Sequence, residues 1–336
     1  MIISNIYGGL GNQFFQYALG RKLSIYHDSE LKLDINKMKK YYLRDYLLFH
    51  YNINSGIANK NEIFLYKKIK SKIYNKIERK LFKFGINPYN NIYYEKYNFM
   101  FDPNIINFNN IYIEGYWQSY KYFEDIKDTL MKDLSLKEPL DNINAKILNR
   151  IKTSNSVSIH FRRGDYTYNT NILDNIKTKI LNRIKSSNAK ILNRIKTSNS
   201  VSIHFRRGDY TYNRKTKDIF NVCPLNYYNK ATELINKEIV NPVYFIFSDD
   251  MEWVKKNFSF NYDKVYVDVN DINHPHIDLE LMKNCKHNII ANSTLSWWAA
   301  WLNKNTQKIV ITPEKWLNKS INFDDLIPES WRKIEI

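Results

Sequence analysis

Apolar and polar positions along this chain follow two rhythms, one of two residues and one of three to four, and these alternate from end to end. The opening IISNIY is a short apolar run that meets GGLGNQ, after which Phe14, Phe15, Ala18, Leu19 and Leu23 recur at helical spacing. Residues 2–24 therefore read as strand, glycine turn and helix. Residues 61–84 carry Ile69, Ile73, Ile77 and Leu81 every four residues among eight Lys and Arg, the pattern of a basic helix with one apolar stripe. Such a helix either packs its stripe on its own domain or lies on an anionic membrane surface.

Further on, IYIEGYWQSYKYF (111–123) reads as a strand and an aromatic turn, and LKEPLDNIN as an interdomain linker. SVSIHF follows as a strand by alternation, then a helix over 225–237, a buried strand in VYFIFSDD and another in KVYVDV. HNIIANSTLSWWAAWLN reads as strand, turn and helix, KIVIT as a last strand, and 316–331 as closing helical turns. Strands alternating with helices in both halves predict an α/β protein of two doubly wound, parallel-sheet domains. Ligands of such sheets sit at the carboxyl ends of the strands, where RRGD, SDD and NST fall.

A repeat changes the organisation. Residues 145–169, AKILNRIKTSNSVSIHFRRGDYTYN, recur unchanged at 189–213, an offset of 44 residues, in an otherwise non-repetitive chain. One perfect copy marks a recent duplication or an artefact of the determined sequence, not a solenoid, whose units diverge and recur at a regular period. The chain has 336 residues and a formal net charge of +17; without 145–188 it has 292 and +10, because that segment alone carries +7. The remaining charge accompanies a Lys, Asn, Ile and Tyr bias of the kind AT-rich coding produces, and no nucleic-acid-binding signature accompanies it, so a nucleic-acid partner is not expected. Cys223 and Cys285 form no CxxC pattern, which suits a reducing compartment and argues against structural zinc. No apolar run is long enough to span a bilayer and the first residues lack a signal-peptide pattern.

Three motifs offer chemistry. GGLGNQ opens a helix, where backbone N–H groups hold phosphate, yet it lacks the third glycine of a dinucleotide fingerprint and the Lys of a P-loop, and it can equally be a tight βα turn. HFRRGDY places His204, Arg206, Arg207 and Asp209 just past a strand, suited to a phosphate or to a structural ion-pair cluster. Asp249 and Asp250 of FSDD have no further ligand at metal spacing, so they suit donors such as the N–H groups of guanine better than Mg²⁺. His274 and His276 read as solvated loop residues. Asn292, Ser293, Thr294 and Ser296 cluster where a strand becomes a helix and converge on an anion.

In this order GGLGNQFFQYALGRKL, EGYWQSYKYF, VSIHFRRGDY, NVCPLNYYNKA, FSDD and HNIIANSTLSWWAAWLN resemble the bacterial α-1,2-fucosyltransferases of glycosyltransferase family 11, over nearly the whole chain outside the extra copy. The resemblance implies a GT-B fold, two Rossmann-like domains facing a cleft, and inverting, metal-independent transfer of L-fucose from GDP-β-L-fucose to the 2-hydroxyl of a terminal galactose. The acceptor would be a galactose-ended oligosaccharide or lipid-linked glycan, and the place of action cytoplasmic, with peripheral contact to an anionic membrane. It makes Arg206 and Asn12 the catalytic residues. Gly11, Gln13, His204, Arg207, Asp209, Asp249, Asp250, Asn292, Ser293, Thr294 and Ser296 would bind the donor, as a substrate and not a cofactor. Tyr116 and Trp117 would be sugar platforms and Gln118 a hydroxyl partner for the acceptor. Glu114 and Asp34 are the nearest candidates for the general base. Related sequences often carry an acidic residue where this chain has Tyr120, a difference on the acceptor side.

The expected division is an acceptor-side domain over 1–139, a linker with the extra copy over 140–188, and a donor domain with closing helices over 189–336. Only one copy can form the strand beside the donor. Choosing 200–210 puts the extra residues in a linker, where loop closure grows slowly with length. Arg206→Ala is then expected to remove leaving-group stabilisation and Arg162→Ala to be nearly silent. Competing functions are another GDP-sugar transferase or fucosyl linkage, and a GDP- or glycan-binding protein inactivated by the duplication.

Overall fold

A computed structural model describes residues 1–39, 45–66, 91–154, 156–161, 201–204, 223–259, 261–270, 273–317 and 321–336; for 39, 159–161 and 201–204 the description is of backbone alone. The chain divides into two compact units, one of Met1–Glu138 with Ile321–Glu329, the other of Pro139–Ser320 with Ser330–Ile336. Both are built on parallel sheets, as the alternation predicts.

In the first unit β1 (Ile2–Asn5) leads through the glycine turn into α1 (Leu10–Tyr26), then β2 (Leu31–Asp34), α2 (Asn36–Lys39), β3 (Gly56–Ile57), α3 (Lys60–Tyr66), β4 (Ile92–Tyr94), β5 (Tyr112–Glu114) and α4 (Lys127–Asp133). Strand order is β3-β2-β1-β5-β4, every pair parallel. β1 is buried along its whole length, as expected for the central strand of a covered parallel sheet. Only α3 of the predicted basic helix 61–84 is described; the rest lies outside the described residues.

The first unit is completed from the far end of the chain. The Phe101 N–H donates to Asp325 Oδ2 at 2.7 Å, Lys121 Nζ lies 2.6 Å from Asp325 Oδ1, and Phe99 packs on Phe323 with ring centroids 5.3 Å apart. The described part of 316–331 makes turns where helical turns were expected.

The second unit contains α5 (Asn142–Lys152), β6 (Ser156–Phe161), β7 (Val201–His204), α6 (Leu225–Glu238), β8 (Val243–Ser248), α7 (Met251–Asn257), β9 (Lys264–Val267), α8 (Pro275–Lys283), β10 (His287–Ile289), α9 (Thr294–Trp301), β11 (Val310–Pro313) and β12 (Arg332–Ile334). The expected linker over 140–188 is thus partly regular structure. Asp141 caps α5 by accepting from the N–H groups of Ile143 and Asn144 at 2.9 and 3.0 Å, and Ile151 of that helix is fully buried. Trp297, Trp298, Trp301 and Trp331 pack together under α9.

β6 and β7 are the two copies of SVSIHF, and they meet β8 in one register. Val157 and Val201 both stand opposite Tyr244, Ser158 and Ser202 opposite Phe245, His160 and His204 opposite Phe247. β6 also pairs with β10, and Ile159 with Ile203. The sheet order is β12-β11-β10-β6-β7-β8-β9 with β6 paired to β8 along its length, which makes six positions for seven strands. β8 presents one row of backbone donors and acceptors on that side, so the copies are alternatives for a single slot. The second copy was expected to form this strand; β7 does pair with β8, and the first copy pairs with both β8 and β10. Its Ser158 Oγ accepts from Asn288 Nδ2 at 2.9 Å, and its Ser156 Oγ accepts from the Lys286 N–H at 3.1 Å.

Candidate active site

At the carboxyl edge of the first sheet, the glycine turn is built by steric necessity. Gly8 has φ +84°, and a Cβ there would stand 2.9 Å from Asn12 Nδ2. Gly9 caps α1 without a side-chain bond, and no acidic residue lies in the helix's first turn. Gln13, expected to face a pyrophosphate, is instead fully buried. Its Nε2 donates to the Gly8 and Asp45 carbonyls at 3.0 and 2.8 Å, and its Oε1 accepts from the Leu47 N–H at 3.0 Å. That amide fastens the turn and has both of its donor N–H groups engaged. Gln16 does the same one helical turn on, accepting from the Tyr7 N–H and donating to the Gly115 carbonyl. Gly11 is buried in the first turn of α1.

Asn12 is only half-buried. Its Oδ1 accepts from Gln118 Nε2 at 2.8 Å, which joins the glycine turn to the segment after β5. In that segment Tyr116 is exposed and packs on Tyr7, ring centroids 4.8 Å apart, while Lys37 Nζ lies 4.5 Å from the centre of the Tyr7 ring. Trp117, expected as a sugar platform, faces inward. Its φ of +58° turns the indole inward, where it is 1% exposed and packs on Tyr93 and Tyr122.

Glu95, just past β4, holds this loop in place. Its Oε2 accepts from the Tyr116 N–H at 2.8 Å, its Oε1 from the Trp117 N–H at 2.9 Å, and the Gln118 N–H adds a third bond. A Cβ on Gly115 would collide with the Glu95 side chain, so the approach requires glycine. Burial pushes the Glu95 carboxyl up to about 7, against the three N–H groups that favour its charge.

The two carboxylates nearest in sequence for a general base are both engaged. Asp34 is buried, accepting from Tyr112 OH at 2.7 Å and the Asn36 N–H at 2.9 Å; Glu114, also buried, accepts from Lys37 Nζ at 2.8 Å. Tyr7, Lys37 and Glu95 went unmarked in the sequence reading. Tyr7 could have been found, since it immediately precedes the glycine turn, whereas Glu95 stands in no motif.

At the carboxyl edge of the second sheet, the slot shared by β6 and β7 lies between β10, which leads to Asn292–Ser296, and β8, which leads to Asp249 and Asp250. Strand order therefore sets side by side the strands that precede the three motifs in sequence. Arg206, Arg207 and Asp209 lie outside the described residues, and for His204 only the backbone is described.

Ser293 caps α9 in position but makes no capping bond. Among the described residues its buried hydroxyl has no partner, at a helix end with no acidic residue in the first turn. An unpaired buried hydroxyl costs about 1–3 kcal/mol, which an anion accepting its proton would recover. Thr294 is half-buried beside it. Ser296 Oγ donates back to the Ser293 carbonyl at 3.2 Å, and Asn292 Nδ2 donates to the Trp316 carbonyl at 2.9 Å, so these two shape the turn. Asp250 caps α7, accepting from the Trp253 N–H at 3.2 Å, and its own N–H donates to Ser248 Oγ at 2.8 Å. Helix capping thus engages Asp250, one of the two acids expected at guanine, and Asp249 beside it is half-buried. Behind the edge, Tyr227 OH donates to the Ile290 carbonyl at 2.6 Å and clamps α6 to the end of β10.

Among the described residues no cluster of three His, Cys, Asp or Glu side chains could hold a metal, and no helix is long and apolar enough to cross a membrane.

A family model described as glycosyl transferase family 11 matches residues 1–173 and again 167–335, each stretch holding one copy of the repeat. The chain is 30% identical over 321 residues to an α-1,2-colitosyltransferase of Escherichia coli, covering 93% of this chain and 91% of that protein. It is 30% identical over 328 residues to the O-antigen biosynthesis glycosyltransferase WbnK of Escherichia coli, 92% of each. A mouse galactoside 2-α-L-fucosyltransferase, Sec1, is 31% identical over 82 residues, 24% of this chain and 22% of that protein.

Proposed function

This chain belongs to glycosyl transferase family 11, and on that footing we propose that it transfers L-fucose, with inversion, from GDP-β-L-fucose to the 2-hydroxyl of a terminal galactose on a surface-polysaccharide precursor. The observation that carries the reading is the unpartnered Ser293 hydroxyl at the start of α9, adjacent in strand order to the slot that delivers HFRRGDY. In this reading Ser293, Thr294 and the α9 N–H groups take the donor's pyrophosphate. The arginine two residues past the slot's histidine, Arg206 in one copy and Arg162 in the other, neutralises the departing GDP. The bond from the anomeric carbon to phosphate oxygen breaks while the galactose 2-hydroxyl closes from the opposite face. Its proton leaves to a carboxylate or to water, and GDP carries away the bonding electrons.

On the acceptor side, Tyr116 and Tyr7 offer the exposed aromatic face, and the linked amides of Asn12 and Gln118 offer donors and acceptors for hydroxyls. The similarity to an α-1,2-colitosyltransferase favours a second donor, GDP-colitose, which lacks one ring hydroxyl of fucose. Turnover of GDP-fucose and GDP-colitose against a panel of β-galactosides tests both. We expect release of GDP and an α-1,2 product with fucose; faster turnover of colitose reassigns the donor. Tight GDP binding with no transfer to any galactoside would instead make the chain a binding protein.

A further inference from the structure

Resting on that reading, we propose that Glu95 is a positioning residue of the acceptor side, holding Tyr116 and Gln118 in the one loop conformation that can receive a galactoside. The loop would not adopt this shape unaided. Trp117 sits in the left-handed region, which disfavours residues with a side chain, and the backbone N–H groups of Tyr116, Trp117 and Gln118 all point to one side. One carboxylate accepts all three, and its closeness is why residue 115 is glycine.

The consequence reaches beyond the loop. With Trp117 turned into the core, Tyr116 is carried outward onto Tyr7, and Gln118 is aimed back at Asn12 on α1. Glu95 thus sets both groups that the acceptor would meet while standing behind them, and its own backbone is tied to β5 by its N–H donating to the Glu114 carbonyl at 2.9 Å. A neutral amide of the same shape cannot replace it, because its NH₂ would face a backbone N–H in place of an acceptor.

The test is Glu95→Gln assayed at pH 8 beside the parent chain, with donor and acceptor varied separately. Losing a charge-assisted acceptor should raise the galactoside KM by about tenfold or more, while GDP affinity and donor KM stay within twofold. GDP titration counts the folded fraction, so misfolding is read separately from misplacement. The double variant E95Q/Q118A should raise the galactoside KM no further than the larger single effect, since one residue acts through the other. An unchanged galactoside KM in folded Glu95→Gln, or strictly additive effects in the double variant, would overturn the proposal. Failure of the functional reading looks different: the parent chain itself would then neither transfer to nor bind any galactoside, the latter followed by saturation-transfer NMR on the GDP complex.

Discussion

The first sheet has five strands for five positions, and the second has seven for six. In the first, position is specified by side chains that no other segment duplicates: Ser4 Oγ donates to the Gln16 carbonyl, Tyr112 OH to Asp34, and Gln13 ties the glycine turn to residues 45–47. In the second, the central slot is specified equally well by two identical segments, because register in a parallel sheet is read from pattern and pairing, and both copies carry the same pattern. The difference teaches that a buried strand's address is written in its sequence and not in its distance along the chain. A perfect copy therefore competes for the place, separated from the original only by loop closure.

The strongest way to break this comparison is to disable the copies one at a time. We expect Arg162→Ala and Arg206→Ala each to leave turnover within a few-fold, and the double variant to lose about 10²–10³ in kcat, the worth of one preorganised charge contact. Loss from Arg206→Ala alone would mean that only the second copy serves, and loss from Arg162→Ala alone that only the first does. Deleting 145–188 should preserve turnover and raise the refolding yield, because no displaced apolar strand remains to aggregate.

Acidity offers a second lever, with opposite signs in the two units. Glu95 has a folded pKa of about 7, raised by burial, so its contribution to stability is full below its ordinary 4.5 and is lost as pH rises through 7, a change of about 3 kcal/mol. His287 is pushed down to about 4 by burial, and its Nδ1 accepts from the Ile309 N–H. Its contribution is full above its ordinary 6.5 and is lost as pH falls toward 4, again about 3 kcal/mol. Hydrogen exchange followed across pH should show the first unit loosening as pH rises from about 4.5 to 7, flattened by Glu95→Gln, and the second loosening as pH falls from about 6.5 to 4, flattened by His287→Gln.

Smaller effects sharpen the contrast locally. Gly8→Ala should cost about 1–3 kcal/mol through its positive φ and the crowding of Asn12, read as a lower Tm. Asp250→Ala should cost only about 1 kcal/mol, the value of a lost helix cap, with little change in GDP affinity. A large loss of GDP affinity would return Asp250 to the donor site.

Much of the fold was legible because periodicity reports burial: the βα start, both parallel sheets and the strand into Ser248 follow from it directly. The turn at Asn292–Ser296 was legible as the place where a strand passes into a helix. It was illegible where a single backbone angle decides which way a side chain faces. Trp117 reads as a platform until its left-handed φ turns it inward, and Gln13 reads as a ligand until its carbonyl partners at Gly8 and Asp45 are seen. Glu95 left no trace, since a carboxylate that collects N–H groups from a loop some twenty residues later has no local pattern. Residues 316–331 were read as closing helical turns, whereas the described part of this stretch folds as turns.

One feature sets the order in which the molecule can be made. The first unit is nearly all encoded before Glu138, yet Asp325 supplies the partner of the Phe101 N–H and of Lys121. Roughly 190 residues separate the two, and at about 5–20 residues per second a ribosome needs some 10–40 s to span them. For that interval the Phe101 N–H and Lys121 of the N-terminal unit are without Asp325. The 44 duplicated residues lengthen the wait by about 2–9 s.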